Sequence, residues 1–176
     1  MIRRLAALTV LLTCAVPAAF AQAVENHNQD LASIALLFSE KDGPPTPGAE
    51  YLDYGKLDYS LESLKHVNEY LKKAREMKTI DRDWKKVTLR AGAYVGEVIR
   101  RGSRKSKPVW IDFETAKKLS PKFFTGGEDE LGLVFVLYDG KDGFSFPIAK
   151  VQKFLANGPE DDVYSFASYL LRDETN

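Results

Sequence analysis

Apolar residues recur along this chain at two spacings, every third or fourth position over long stretches and every second position over short ones. Leu61, Leu64, Val67, Leu71 and Ala74 follow the first spacing and predict a helix capped by Asp58 or Ser60. Leu31, Ile34, Ala35 and Phe38 share one face of another predicted helix over residues 30–40, with Asp30 as its N-cap. The segment DGPPTPG, residues 42–48, carries three prolines and two glycines. It ends the first helix and reads as a stiff surface linker, which makes the helix before it a loosely attached arm. Residues 51–59 read as extended, and residues 78–83 as a polar break.

The densest apolar run, residues 86–101, predicts a central helix. Leu89, Gly92, Ala93, Gly96 and Ile99 form one narrow face of small residues edged by large ones, and Val87, Ala91, Tyr94, Val95 and Val98 form a second apolar side. Glycine inside a helix costs roughly 1 kcal/mol relative to alanine, so two of them four apart need a compensating contact. A neighbouring segment lying close in the groove, regaining dispersion energy, supplies it. A ligand in the groove is the rival explanation.

The second spacing takes over next. Val109, Ile111 and Phe113 alternate with Trp110 and Asp112 and predict a strand over residues 108–114; residues 131–138, LGLVFVLY, predict a central strand. The turn DGKDG, residues 139–143, then joins it to a return strand, FSFP, that Pro147 ends. Ile148, Val151 and Leu155 mark a further helix closed by Asn157, Gly158 and Pro159. Glu160, Asp161 and Asp162 fall in the first turn of a last one, whose Val163, Phe166, Ala167 and Leu170 face the core. The expected fold is α+β, with a small antiparallel sheet of about three or four strands packed against several helices in a single domain.

The N-terminus changes the expected location. Arg3 and Arg4, an apolar run from Leu5 to Val16, and Ala19-Phe20-Ala21 together read as a secretory signal peptide cleaved near Ala21. A lipoprotein reading of Leu11-Leu12-Thr13-Cys14 and a twin-arginine reading of Arg3-Arg4 both fit their motifs less well. The expected organisation is therefore a signal peptide over residues 1–21, an N-terminal helix and linker over 22–50, and a globular α+β domain over 51–176, in the periplasm or secreted. Cys14 is the only cysteine, so the mature chain must hold together without disulfides. Lys plus Arg equals Asp plus Glu at 25 each, and loss of Arg3 and Arg4 leaves the mature chain about two units negative, which favours no nucleic acid.

Candidate chemistry is thin. Glu97 sits on the polar strip of the glycine helix between Arg90 and Arg101, where an ion pair on the helix surface competes with a general acid or base. His27 falls in a polar stretch and His66 on a solvated edge; two separated histidines without cysteine make no zinc set, so neither a metal nor a cofactor is expected. DGKDG lacks the alternating oxygen ligands of a calcium loop. Glu128, Asp129 and Glu130 form an acidic loop after Gly126 and Gly127. The sharpest charge feature is basic: Arg100, Arg101, Arg104, Lys105 and Lys107, which read either as a solvated helix end or as a surface for an acidic partner.

The order of these features, a GAYVGEVI helix, a strand with Trp110, a hairpin ending in FSFP and then VQKFLANGPEDDVYSF, resembles small bacterial α+β domains of unknown function. Those share a G-x-x-x-G-E helix, a tryptophan strand, and a proline-led helix followed by a G-x-x-D-x-V start. The resemblance spans roughly residues 57–170 and implies a fold, since its motifs are packing and capping devices that import no catalytic residue. The expected function is an exported cell-envelope protein that binds or inhibits an envelope protein, in the manner of an immunity protein, through the basic segment. An envelope hydrolase using Glu97 with a loop aspartate, or an assembly subunit, are the alternatives.

Overall fold

Glycine 96 leaves a slot in the middle of a long helix, and the rest of the chain is arranged around what fills it. The computed structural model describes residues 18–124 and 131–172. In it, α1 (Ala18–Ser39), α2 (Ser63–Arg75) and α3 (Ile80–Gly102) precede a three-stranded antiparallel sheet of β1 (Val109–Asp112), β2 (Phe135–Tyr138) and β3 (Phe144–Ser145), in the order β1-β2-β3. A short α4 (Phe113–Leu119) lies between β1 and β2, and α5 (Pro147–Asn157) and α6 (Val163–Arg172) close the chain. The fold is α+β with a small sheet.

α3 is the axis, with α1, α2, α5 and α6 packed on it. The groove along its small face is filled by this chain: a Cβ added at Gly92 would lie 2.6 Å from the Ile148 backbone of α5, and one added at Gly96 would lie 2.1 Å from the Trp110 ring of β1. Both distances are impossible for real side chains, so the glycines are what lets α5 and β1 approach. The helix also starts earlier than the polar residues 78–83 suggest. Asp81 and Asp83 stand in its first turn, where they meet the positive end of the helix dipole.

The first helix is no loose arm. Leu31, Ala35 and Phe38 are wholly buried in the main core, because the stripe read from the sequence lies against α3. The proline-rich segment behind it is fastened rather than free. Its carbonyls cannot all pair in regular structure, and core side chains take them up: Arg90 Nη1 donates to Pro44 O at 2.8 Å and Tyr70 Oη to Pro47 O at 2.7 Å. Thr46 Oγ1 donates to Leu37 O at 3.0 Å. Burial pushes the Arg90 guanidinium down and the Tyr70 hydroxyl up from their ordinary values.

Residues 51–59 are not extended either. They form two 3-10 turns, Ala49–Tyr51 and Tyr54–Lys56, that bring Leu57 into the core and Tyr59 N within 3.0 Å of the Tyr94 hydroxyl. α2 opens at Ser63 after Glu62, which makes no side-chain cap bond, and Ser60, expected as the cap, closes the turn before it, its Oγ accepting from Ser63 N at 3.2 Å. At the other end of the chain, Asp162 caps α6 through Ser165 N instead of sitting inside its first turn. Arg75 reaches across from α2 to donate to Leu155 O at 3.0 Å and Asn157 O at 3.2 Å, taking up carbonyls that the end of α5 leaves unpaired.

The sheet divides two apolar clusters. Val109 to Asp112 pair with Tyr138 to Phe135, and Leu137 and Tyr138 with Ser145 and Phe144. Alternation sends Trp110 and Leu137 into the main core and Ile111 and Val136 to a smaller cluster with Phe113, Ala116 and Phe124. The strand expected to run to residue 114 stops at Asp112, whose side chain accepts from Thr115 N at 2.7 Å and opens α4. No described helix is long and apolar enough to cross a membrane.

Alanine at position 96 should gain up to about 1 kcal/mol of helix propensity and lose more to overpacking against Trp110. Gly96→Ala and Gly92→Ala are each expected to lower the free energy of unfolding by about 1–3 kcal/mol in urea titrations. Gly55→Ala, whose Cβ would meet nothing closer than 3.5 Å, is expected to stay within about 0.5 kcal/mol of the parent.

Candidate functional site

The five cations singled out from the sequence divide into two groups. Arg100 and Arg101 belong to the last turn of α3 and turn back onto Glu97. Arg100 donates through Nε at 2.8 Å and Nη2 at 3.0 Å, Arg101 through Nε at 3.3 Å, and Trp110 Nε1 adds a fourth bond at 3.0 Å. The Arg101 guanidinium also lies over the Tyr59 ring, 3.6 Å from its centre. Bonding to Glu97 raises the Arg100 guanidinium further above its ordinary value. Arg104, Lys105 and Lys107 are exposed on the loop that follows, where Lys107 has a positive φ of 45°.

Glu97 is therefore not on a solvated strip. Its relative exposure is 0%, and Arg90, expected beside it, bonds Pro44 and Thr46 instead. The strip is buried because β1 lays Trp110 across it, and a buried carboxylate must then be met by donors. A substrate would have to displace an arginine or the indole to reach either oxygen. The arrangement anchors β1 to α3.

His27 is also more engaged than its polar neighbours suggest. Its Nε2 lies 3.1 Å from Asp112 Oδ2 and its ring meets Phe135 edge-on, with centres 5.2 Å apart. Asn28 follows it and accepts from Trp110 N at 2.9 Å. These adjacent residues fasten α1 to β1, a role that only the three-dimensional juxtaposition reveals. Asp112 is part of the same joint. Burial works against its charge, but the Thr115 amide and His27 outweigh it and hold the carboxyl below its ordinary value.

His66 is exposed on α2 and does not join this group. Among the described residues no cluster of three or more His, Cys, Asp or Glu is placed to hold a metal ion. In DGKDG, Asp139 Oδ1 accepts from Lys141 N at 2.8 Å and Gly143 N at 3.0 Å, so its carboxylate closes the hairpin turn. The acidic residues Glu128, Asp129 and Glu130 lie outside the described residues.

The feature that sequence reading missed is aromatic. Phe123, 62% exposed, stacks on Phe144 and Phe146 with ring centres 6.2 and 5.9 Å apart, and Phe124 meets Phe144 edge-on at 5.0 Å. Phe123, Phe124 and Phe146 open onto a pocket of about 510 Å³, walled further by Leu133 and by Phe166 of α6. Its charged lining is Lys150 and Lys153 of α5 with Asp161. Lys150 Nζ bonds Asp161 Oδ1 at 2.8 Å and Asn157 Nδ2 bonds Oδ2 at 2.6 Å, which together hold the Asp161 carboxyl below its ordinary value. The signal was present in the sequence: F-S-F alternation puts Phe144 and Phe146 on one side of the chain, and a Phe-Phe doublet follows Pro121.

Comparison with protein-family models, with curated proteins and with solved structures finds no match to this chain.

Two measurements check the joints around β1. Glu97→Gln, which removes the charge that the two arginines share, is expected to lower the free energy of unfolding by about 2 kcal/mol in a urea titration, the scale of hydrogen bonds to charged groups. Asp112→Asn retains a good helix cap and loses only charge. Because the Asp112 carboxyl is depressed in the folded chain, its stabilisation is present above its ordinary value of 3.8 and is lost as pH falls through the lower folded value. The melting temperature of Asp112→Asn should therefore fall below the parent's at pH 6, and the gap should close progressively below about pH 4.

Proposed function

We propose that this chain is an exported binding or inhibitory protein of the cell envelope, working by contact, and that the aromatic pocket is its seat. One observation carries the reading: Phe123 stands 62% exposed at the mouth of a concave apolar pocket, stacked on two further rings. Leaving a phenylalanine in water forgoes about 1.5–3 kcal/mol of burial, which an apolar group entering the pocket recovers in part. The pocket volume is in the range typical of ligand sites, roughly 300–1,000 Å³.

The basic segment is the weaker seat for a partner, since two of its five cations, Arg100 and Arg101, are occupied by Glu97. The hydrolase alternative loses its support in the same place. Glu97 is bonded to two arginines and does not line the aromatic pocket. Export rests on the charged, apolar and small-residue pattern of residues 1–21.

The neutral dye N-phenyl-1-naphthylamine tests the pocket. Its fluorescence should rise saturably with the native protein, and Phe123→Asp should weaken binding about tenfold, equivalent to 1.4 kcal/mol, with little change in melting temperature. Equal titrations of parent and variant would remove the pocket as the seat. N-terminal sequencing of protein recovered from the envelope fraction, expected to start at Gln22, checks export in the same preparation.

A further inference from the structure

Resting on the pocket reading above, we propose that the ligand is a small amphipathic carboxylate, its apolar body against Phe124, Phe146 and Phe166 and its anionic group at Lys153. The charged lining decides the sign. Lys150 and Lys153 stand three residues apart on α5, so both project from neighbouring positions of one helix, and both border the pocket. Among the described residues Asp161 is the one acidic side chain of the lining, and it is already bonded to Lys150 and Asn157. Among the described residues the lining thus carries one cation in excess, Lys153, which bears on Asp161 only through its field and is exposed at the rim of an aromatic wall. A carboxylate there meets an ammonium whose field is less screened on the side of the apolar rings than it would be in water.

Rival ligands fit less well. Aromatic rings also attract quaternary ammonium groups, but such a cation would meet the surplus lysine and an aspartate that is already paired. An extended peptide draws much of its affinity from main-chain hydrogen bonds. The walls offer few: Ala149, Lys150, Lys153 and Phe166 lie within helices, and Leu133 and Asp161 within 3-10 turns, whose backbone groups largely bond along their own elements. A ligand recognised by one apolar body and one charge suits such walls.

Displacement of N-phenyl-1-naphthylamine from the native protein by decanoate, decanol and decyltrimethylammonium, below their micelle concentrations and at low salt, reads the sign directly. Decanoate is expected to bind about threefold to tenfold more tightly than decanol, the scale of a rim ion pair, and decyltrimethylammonium more weakly than both. Lys153→Gln should abolish the preference for decanoate, and Lys153→Glu should reverse it towards the cation, while decanol binds all three proteins alike. Decanol matching decanoate on the parent would overturn the carboxylate inference and leave the pocket standing as an apolar seat. N-acetylphenylalanine amide binding as tightly as decanoate would overturn it in favour of a polypeptide. No displacement by any probe, with no dye binding to displace, would instead remove the pocket reading on which the inference rests.

Discussion

The indole of Trp110 occupies the space that a side chain at position 96 would need, and its N–H ends on the carboxylate of Glu97 one residue along. That contact joins the sheet to the axial helix, and much of the molecule is arranged in consequence. Glu97 can be buried only because the indole and two arginines meet its oxygens, and Arg101 in turn covers Tyr59. Tyr59 is tied through its backbone to Tyr94 and through its hydroxyl to Ser39 on α1. A packing requirement at one backbone position is thereby converted into a chain of polar bonds that fixes four segments.

The parts of this fold that were legible in sequence are those where one face meets water and the other does not. The stripe of Leu64, Val67 and Leu71 on α2 is of this kind and is buried as its period requires, whereas the alternation of Trp110 and Ile111 on β1 was legible as a strand but feeds an apolar cluster on each face. The glycine pair was legible for a different reason: its cost within a helix demands a neighbour, and Ile148 and Trp110 are that neighbour. What could not be read were the partners that tertiary structure supplies. The polar strip of Glu97 looks solvated until a tryptophan thirteen residues later lies over it. The proline-rich segment looks free until Arg90 and Tyr70 bond its carbonyls.

Two misreadings were local and had a visible remedy. Phe113 continues the alternation of Val109 and Ile111, and that period hid the start of α4, although Asp112 with Glu114 behind it is a helix-opening pair. The aromatic pocket is less legible in one dimension, where the basic residues stand together and the phenylalanines do not. In three dimensions Arg100 and Arg101 are internal counter-ions, while phenylalanines scattered from position 123 to 166 converge.

One consequence concerns how this molecule can meet others. β1 is an outer strand, and α1 lies against it with Asn28 holding the main-chain N–H of Trp110. A strand so covered offers no template on which a foreign strand could extend the ladder, and β3 at the far side is two residues long. The sheet is thus guarded at both outer rows, by the cover of α1 on one side and by the shortness of β3 on the other.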